Sequence, residues 1–407
     1  MSYVVAAAEL LTTAAEDLVA VGSAIAAANA AAATSTTSLL AAAADEVSTG
    51  IAAFFRAHAL EYQAVQAQLV QFNEQFVRNL TANANAYLSA EFANATNAGP
   101  LAAASTRITV PGASPLYYPG LITRLPYLGQ IFLQGGVAGP PTVSLVQAYD
   151  LLNYAIGQNW FPGTVAQVVN FPASMGIVSG SLTAPTVNEA VAIGQGMLHD
   201  QIMAAVANGT PVHIAALSHG TLAANRELAY LATAPDAPAP NALQFTLFAS
   251  PEFGLFKTYL PTGATLPIVD YTVHALANTQ YDVNLVFGQY DAWSNPPDRP
   301  WNLLSVVNSL FGMAYHHNTA ALASMSDVVM LSSEVTPLGG TITTYMIPSP
   351  ILPMLLPLQD IGVPQPIVNG LNSILQPIVN AGYSTLDPNA GPYFSGGALV
   401  GLPRLLW

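Results

Sequence analysis

Through roughly the first ninety residues, apolar side chains return at alternating three- and four-residue steps. Leu11, Ala14, Leu18, Val21 and Ile25 mark one face of a first helix. The polar break Thr34-Ser35-Thr36-Thr37-Ser38 offers N-cap candidates for a second. Along it Val47, Ile51, Phe54, Tyr62, Val65, Leu69, Phe72, Phe76 and Leu80 keep the same rhythm to about Phe92. At 1.5 Å per residue that helix is roughly 80 Å long. Two antiparallel helices cannot cover all of this apolar surface between them. The remaining stripe calls for other helices, from a partner protein or from the rest of the chain.

After Phe92 the pattern changes. Ala93-Asn94-Ala95-Thr96-Asn97-Ala98 has no apolar face, and Gly99-Pro100 stops any helix, which divides the chain into residues 1–95 and 96–407. Beyond the division, short apolar runs alternate with helical ones, the pattern of an α/β domain. Val212-His213-Ile214-Ala215-Ala216-Leu217 reads as a buried strand and Thr221 to Leu228 as the helix behind it. Val283 to Gly288 reads as a later strand, followed by a helix from about Trp301. From Val329 onward the chain is rich in Pro, Leu and Ile; it forms either a lid or acyl-chain groove appended to the domain, or ordinary core.

Composition narrows the function classes. The 407 residues suffice for two domains. Only 7% are charged and the formal charge is −14, so a phosphate backbone is not an expected partner. The absence of cysteine excludes disulfides and thiolate chemistry. No apolar stretch reads as a membrane span: the segment Ile347 to Leu358 is broken by four prolines. Met1-Ser2-Tyr3-Val4-Val5 lacks the basic start of a Sec signal. With no His-x-x-x-His pair, no P-loop and only scattered acids, neither a metal nor a cofactor is expected.

The chemistry concentrates at Ala216-Leu217-Ser218-His219-Gly220, a serine between small residues at a strand-to-helix turn. Such a turn pushes the hydroxyl out of the sheet, as in the G-x-S-x-G elbow of α/β hydrolases; here Ala216 replaces the first glycine. A serine nucleophile needs an imidazole to take its proton and an acid to orient it, in the chain order Ser, Asp, His. Asp291 stands just past the end of the Val283–Gly288 run, where ligands meet parallel sheets. Asp298 is a rival that reads as a loop or helix-capping aspartate beside Arg299. His316 and His317 adjoin, and only one can be the base. His213 reads as a core or edge histidine. For the oxyanion, the donors are the backbone N–H of His219 and an N–H from Pro111-Gly112-Ala113-Ser114, supplied by Ala113 or Ser114.

Two resemblances add to this reading. Residues 1–95 resemble the PE domain of mycobacterial PE/PPE proteins, through Ala27 to Ala33, Ala41-Ala42-Ala43-Ala44-Asp45-Glu46-Val47-Ser48 and His58-Ala59-Leu60-Glu61-Tyr62. Ala8-Glu9 stands where that family has Pro-Glu. Tyr87-Leu88-Ser89-Ala90-Glu91 is similar to its Y-x-x-x-D/E signal for type VII (ESX) secretion, which implies a cell-surface or secreted protein and a PPE protein or ESX chaperone on the helices. The rest resembles the PE-PPE domain, a serine α/β-hydrolase module. Tyr290-Asp291-Ala292-Trp293-Ser294-Asn295-Pro296-Pro297 matches its Y-D-G-x-A-D-x-P loop in part, and Gly312-Met313-Ala314-Tyr315-His316-His317-Asn318-Thr319 its G-x-x-Y-x-H-G-T piece. That match implies His317 as the base. Ala216, Ala292 and Asn318 replace glycines, and Ser294-Asn295 replaces Ala-Asp. The resemblance implies an α/β-hydrolase fold and a Ser218-Asp291-His317 triad acting on lipid or glycolipid esters. The acyl group would pass to water or to a trehalose-type lipid. The alternative is an inactive interaction protein on a hydrolase scaffold.

Overall fold

In the computed structural model, residues 8–96, 105–113, 143–179, 184–209 and 211–402 are described. The chain divides into two compact units, Met1–Ala103 and Ala104–Trp407.

The first unit is a hairpin of α1 (Ala8–Thr37) and α2 (Glu46–Thr96). The helices run antiparallel, with Asn73 Nδ2 donating to the Leu18 carbonyl and Asn29 Nδ2 to Gln66 Oε1. The polar break does not cap the second helix. Thr36 and Thr37 turn their hydroxyls back onto the carbonyls of Ala32 and Ala33, which extends α1 through Thr37. The cap is Asp45, whose carboxylate accepts from both Ser48 N–H and Ser48 Oγ. Within α1, Asp17–Thr37 is long and apolar enough to cross a membrane by length and composition. That apolarity is largely alanine, and the segment bonds to α2 through Asn29. Much of the α2 stripe is uncovered, Val47 and Phe54 each being 70% exposed.

The second unit is α/β. Its described elements begin with β1 (Thr106–Val110), α3 (Val143–Ala155), β2 (Val165–Val168), α4 (Val187–Val206), β3 (Val212–Leu217), α5 (His219–Leu231) and β4 (Leu243–Phe248). After a π-helical turn, Glu252–Phe256, come the small hairpin β5 (Thr265–Leu266) and β6 (Tyr271–Thr272), then β7 (Asp282–Gly288) and α6 (Leu303–His316). The described elements close with β8 (Val329–Val335), β9 (Thr341–Ile347), α7 (Leu356–Asp360), α8 (Gln365–Asn380) and the hairpin β10 (Tyr393–Ser395) and β11 (Ala398–Val400). The main sheet has the order β2-β1-β3-β4-β7-β9-β8, parallel except for the edge strand β8.

Strand β3 lies inside this sheet and alternates its side chains between two cores. Ile214 and Ala216 join Leu198 and Ile202 of α4 and Ala223 and Leu228 of α5. Ala215 and Leu217 face Trp160, Phe161 and Phe248 on the other side. The entry to α4 is fixed by a capping box between Thr186 and Glu189.

The Pro/Leu-rich end of the chain is an extension built partly into the sheet, as β8 and β9. The remainder packs Leu352, Leu355, Val368 and Val379 around Tyr290 and Tyr383. Arg299, fully buried, fastens the extension to the loop after β7 by donating to the carbonyls of Ala381, Asp387, Gly391 and Pro392. Asp298, beside it in sequence, turns the other way. Its carboxylate accepts from Ser384 N–H and Oγ, as expected of a loop aspartate.

Candidate active site

Ser218 joins β3 to α5 with φ +50° and ψ −118°, a conformation that costs a non-glycine residue about 1–3 kcal/mol. The surroundings hold it there. Its N–H donates to the Phe248 carbonyl at 2.9 Å, and its own carbonyl accepts from Thr221 Oγ1 at 2.6 Å. The close approach demanded by the turn falls on Gly220: a Cβ there would stand 2.3 Å from the Val110 carbonyl oxygen and 2.4 Å from that of Pro111. Residue 216 makes no such approach, because its methyl enters the core between β3 and α4. This is why alanine is accepted in place of the first glycine.

His317 is the C-cap of α6, and its Nε2 lies 2.8 Å from Ser218 Oγ. Its Nδ1 lies 2.7 Å from Asp291 Oδ2. A carboxylate only accepts, so Nδ1 carries the proton and Nε2 is left to accept from the serine hydroxyl. Asp291 is fully buried, and its oxygens also accept from Trp293 N–H at 3.0 Å and Ser294 Oγ at 2.5 Å. Gly312 lets α6 press against this loop: a Cβ there would meet the Tyr290 carbonyl oxygen at 2.0 Å.

The other candidates lie elsewhere. His316 turns its Nε2 toward Ser349 Oγ, 3.3 Å away, and burial lowers its pKa. His213 stacks on Phe161 within the sheet. Sequence reasoning treated Ser294 only as a departure from the matched loop, whereas its hydroxyl supplies a hydrogen bond to the acid. The signal was its place three residues after Asp291, within reach of a carboxylate that begins a turn.

His219 opens α5, so its backbone N–H is among those a helix leaves without an internal partner. Ala113 borders the same space, with Gly112 packed against Ser218. Ser114 lies outside the described residues. Tyr87 and Glu91 fall on the helical backbone of α2, but their side chains also lie outside them.

The His219 ring is buried against Phe171, and burial pushes its pKa down to about 4. The unfolded chain takes up this proton below about pH 6.5 and the folded protein does not. The stability associated with the neutral ring is therefore complete above that pH and falls as pH drops toward 4. A His219→Phe substitution keeps the stacking and removes the titration. Urea unfolding at pH 7 and 4.5 is expected to show a loss smaller by about 2 kcal/mol in the variant; equal losses would refute this account.

A pocket opens beside Ser218. Its walls are Met175, Val187, Leu222, Phe256, Val269 and Tyr271, with Trp293, Tyr149 and Asn318 near the imidazole. Asn318 Nδ2 donates to Tyr149 Oη at 3.4 Å, and burial raises the Tyr149 pKa, which keeps the phenol neutral. The Tyr271 wall is held from behind by Glu252, a buried carboxylate that accepts from Tyr271 Oη, Asn225 Nδ2 and His274 N–H. Among the described residues, none of this lining comes from the Pro/Leu-rich extension. The acyl-groove expectation for that segment is thus not met. The pocket is walled instead by α4, α5, the π-helical turn and the β5–β6 region. Among the described residues, no group of three or more His, Asp or Glu side chains is placed to hold a metal ion.

Comparison with known proteins agrees with this architecture. The PE family pattern matches residues 4–94 and that of the PE-PPE domain residues 162–384. The uncharacterized PPE family protein PPE63 of Mycobacterium tuberculosis is 52% identical over 296 residues, covering 73% of this chain and 58% of that protein. The diacyltrehalose acyltransferase Chp2 of the same organism is 35% identical over 259 residues, 59% of this chain and 71% of Chp2. Its esterase PE16 is 33% identical over 355 residues, 84% of this chain and 62% of PE16. The chain thus spans less than two thirds of PPE63 and of PE16. No solved structure matches it. With a PE region at its N-terminus and a hydrolase-like sheet behind it, the chain belongs to the PE family and carries a PE-PPE domain.

Proposed function

We propose that this protein is a serine acyl-ester hydrolase or acyltransferase that works on lipid esters through an acyl-enzyme at Ser218. The observation that carries the reading is the unbroken hydrogen-bonded line from Ser218 Oγ through His317 to buried Asp291, opening on an apolar pocket. In this mechanism Ser218 Oγ attacks the ester carbonyl carbon while its proton passes to His317 Nε2. Asp291 steadies the imidazolium at Nδ1, and the N–H groups of His219 and Ala113 receive the oxyanion. When the tetrahedral adduct collapses, the C–O bond to the leaving alcohol breaks and that alcohol takes the proton from Nε2. The acyl group stays on Ser218. A second hydroxyl, deprotonated by the same nitrogen, then releases it.

That second hydroxyl defines the activity. Water makes the protein an esterase or lipase, the activity named for PE16. A glycolipid hydroxyl such as that of a trehalose lipid makes it a transferase, as the name of Chp2 states of that protein. The pocket walls favour a long acyl chain. Tyr149 and Asn318 set polar groups beside the base, where an acceptor hydroxyl has to arrive. Type VII secretion to the cell surface or envelope belongs to the same proposal. It rests on the PE region and the Tyr87–Glu91 spacing, with a PPE protein or ESX chaperone covering the exposed stripe of the hairpin.

A fluorophosphonate probe tests the nucleophile. The expected result is one labelled peptide, containing Ser218; folded protein that stays unlabelled overturns the proposal and leaves the interaction-protein alternative. Supplying a long-chain ester with and without a trehalose-lipid acceptor then separates the two outcomes. If free acid is the sole product in both, transfer to that acceptor fails.

A further inference from the structure

Helix α6 buries small and polar residues over much of its inner face. That face carries Ser305, Asn308, Ser309 and Gly312, followed by Met313 and Ala314, all buried. On the opposite side Leu303, Val307 and Leu310 follow at four- and three-residue steps and stand exposed. Most of the inward polar atoms find backbone partners: Ser305 Oγ donates to the Val379 carbonyl, Ser309 Oγ to that of Val306, and Asn308 Oδ1 accepts from Met354 N–H. Asn308 Nδ2 has no partner among the described residues.

Helix α8 shows a related imbalance. It buries Val368, Asn372 and Val379, yet beside them a second apolar stripe, Ile367, Leu371, Ile374 and Ile378, is left uncovered, with Ile374 67% exposed. The two helices meet where Asn302 Nδ2 donates to the Ile378 carbonyl at 2.7 Å. Trp301 stands exposed at that junction.

Charge decides what fits this face. Neither helix contains Asp, Glu, Lys or Arg, although a solvent-facing helix surface ordinarily carries them. An anionic membrane is recognised by clustered Lys and Arg, and here there are none, on a chain of net charge −14. Protein interfaces favour aromatic residues and Arg at their centre, whereas these stripes are aliphatic. An uncharged lipid layer requires only apolar area. A tryptophan at its margin is the residue favoured at the boundary between lipid and water.

We propose that the α6–α8 face seats the protein on the surface of uncharged lipid. This goes beyond the ester chemistry by naming the phase on which the protein works. Because α6 also ends at His317, the seat and the imidazole share one helix.

Flotation of the full-length chain with a triacylglycerol emulsion coated in phosphatidylcholine tests it. The protein is expected to float, and the triple variant Leu371→Gln, Ile374→Gln, Ile378→Gln to partition at least about tenfold less, given the apolar area removed from contact. Circular dichroism and an unchanged rate on soluble p-nitrophenyl butyrate would show that the variant is folded; a single Ile374→Leu change should float normally. Replacing the coat with anionic phosphatidylglycerol should weaken flotation. The proposal fails if the unmodified protein stays in the aqueous layer, or if the triple variant floats as well as the parent. It also fails if the parent is a dimer in solution that these changes convert to monomer without altering flotation, since the face then joins two copies. Flotation that depends on the stripe in a protein inert toward p-nitrophenyl butyrate would overturn the enzymatic reading and leave this one standing.

Discussion

Changing Ser218 to alanine or Asp291 to asparagine is expected to lower kcat/KM toward a short acyl ester by about 10⁴-fold or more. The serine change removes the atom that becomes acylated. The asparagine change is subtler, because it barely alters shape. Oδ2 of Asp291 accepts from both His317 and Ser294, while Oδ1 accepts from Trp293 N–H. An asparagine has a single acceptor oxygen. If it keeps the Trp293 bond, its NH₂ group faces Nδ1, and the imidazole must shift its proton to Nε2, where it can no longer accept from Ser218. If it turns to serve His317, the loop loses its bond to Trp293. Either choice disarms the base. Rates over a range of ester concentrations check this, and a loss below tenfold for Asp291→Asn would remove Asp291 from the proposed mechanism.

Gly220→Ala is expected to destabilise the folded protein by about 3 kcal/mol, with activity falling alongside. The added methyl would collide with two backbone carbonyls at the end of β1, which have no rotamer through which to yield. Relief requires β1 and α5 to part, and that displaces both the Pro111–Ala113 turn and the start of the helix beside Ser218. The companion change Ala216→Gly should cost about 1.5 kcal/mol, half as much, through strand flexibility and one lost buried methyl. Urea unfolding of the pair provides the measurement. Similar costs at the two positions would mean that the elbow's tight contact has been assigned to the wrong residue.

These two predictions reflect what the linear pattern could and could not reveal. The Val212–Leu217 run, Ser218 after it and Asp291 after a second apolar run were legible because each is a local event. Adjoining His316 and His317 look alike locally, and the preference for His317 came from the resemblance to the PE-PPE domain. Strand ends and helix ends are written in neighbouring residues. The pocket was not legible. Met175, Leu222, Phe256 and Tyr271 come from separate elements, and nothing along the chain announces that they converge. Glu252 illustrates the difficulty, since its buried carboxylate is stabilised by Asn225 and His274, which only the fold brings near. For the C-terminal segment two readings stayed open for a related reason: prolines among leucines suit a lid and a packed extension equally well, and the fold shows the extension. At the hairpin, Asp45 was passed over in favour of the threonines because hydroxyl residues can cap a helix or continue it, and only the backbone decides.

The guanidinium of Arg299 sits eight positions beyond Asp291, yet the carbonyls that satisfy it belong to residues 381 to 392. During synthesis Ser218, Asp291 and His317 all leave the ribosome before residues 381 to 392 are made. A product truncated before residue 381 would hold all three side chains but lack the carbonyls that satisfy Arg299, so the loop that carries Asp291 would be left without its clasp.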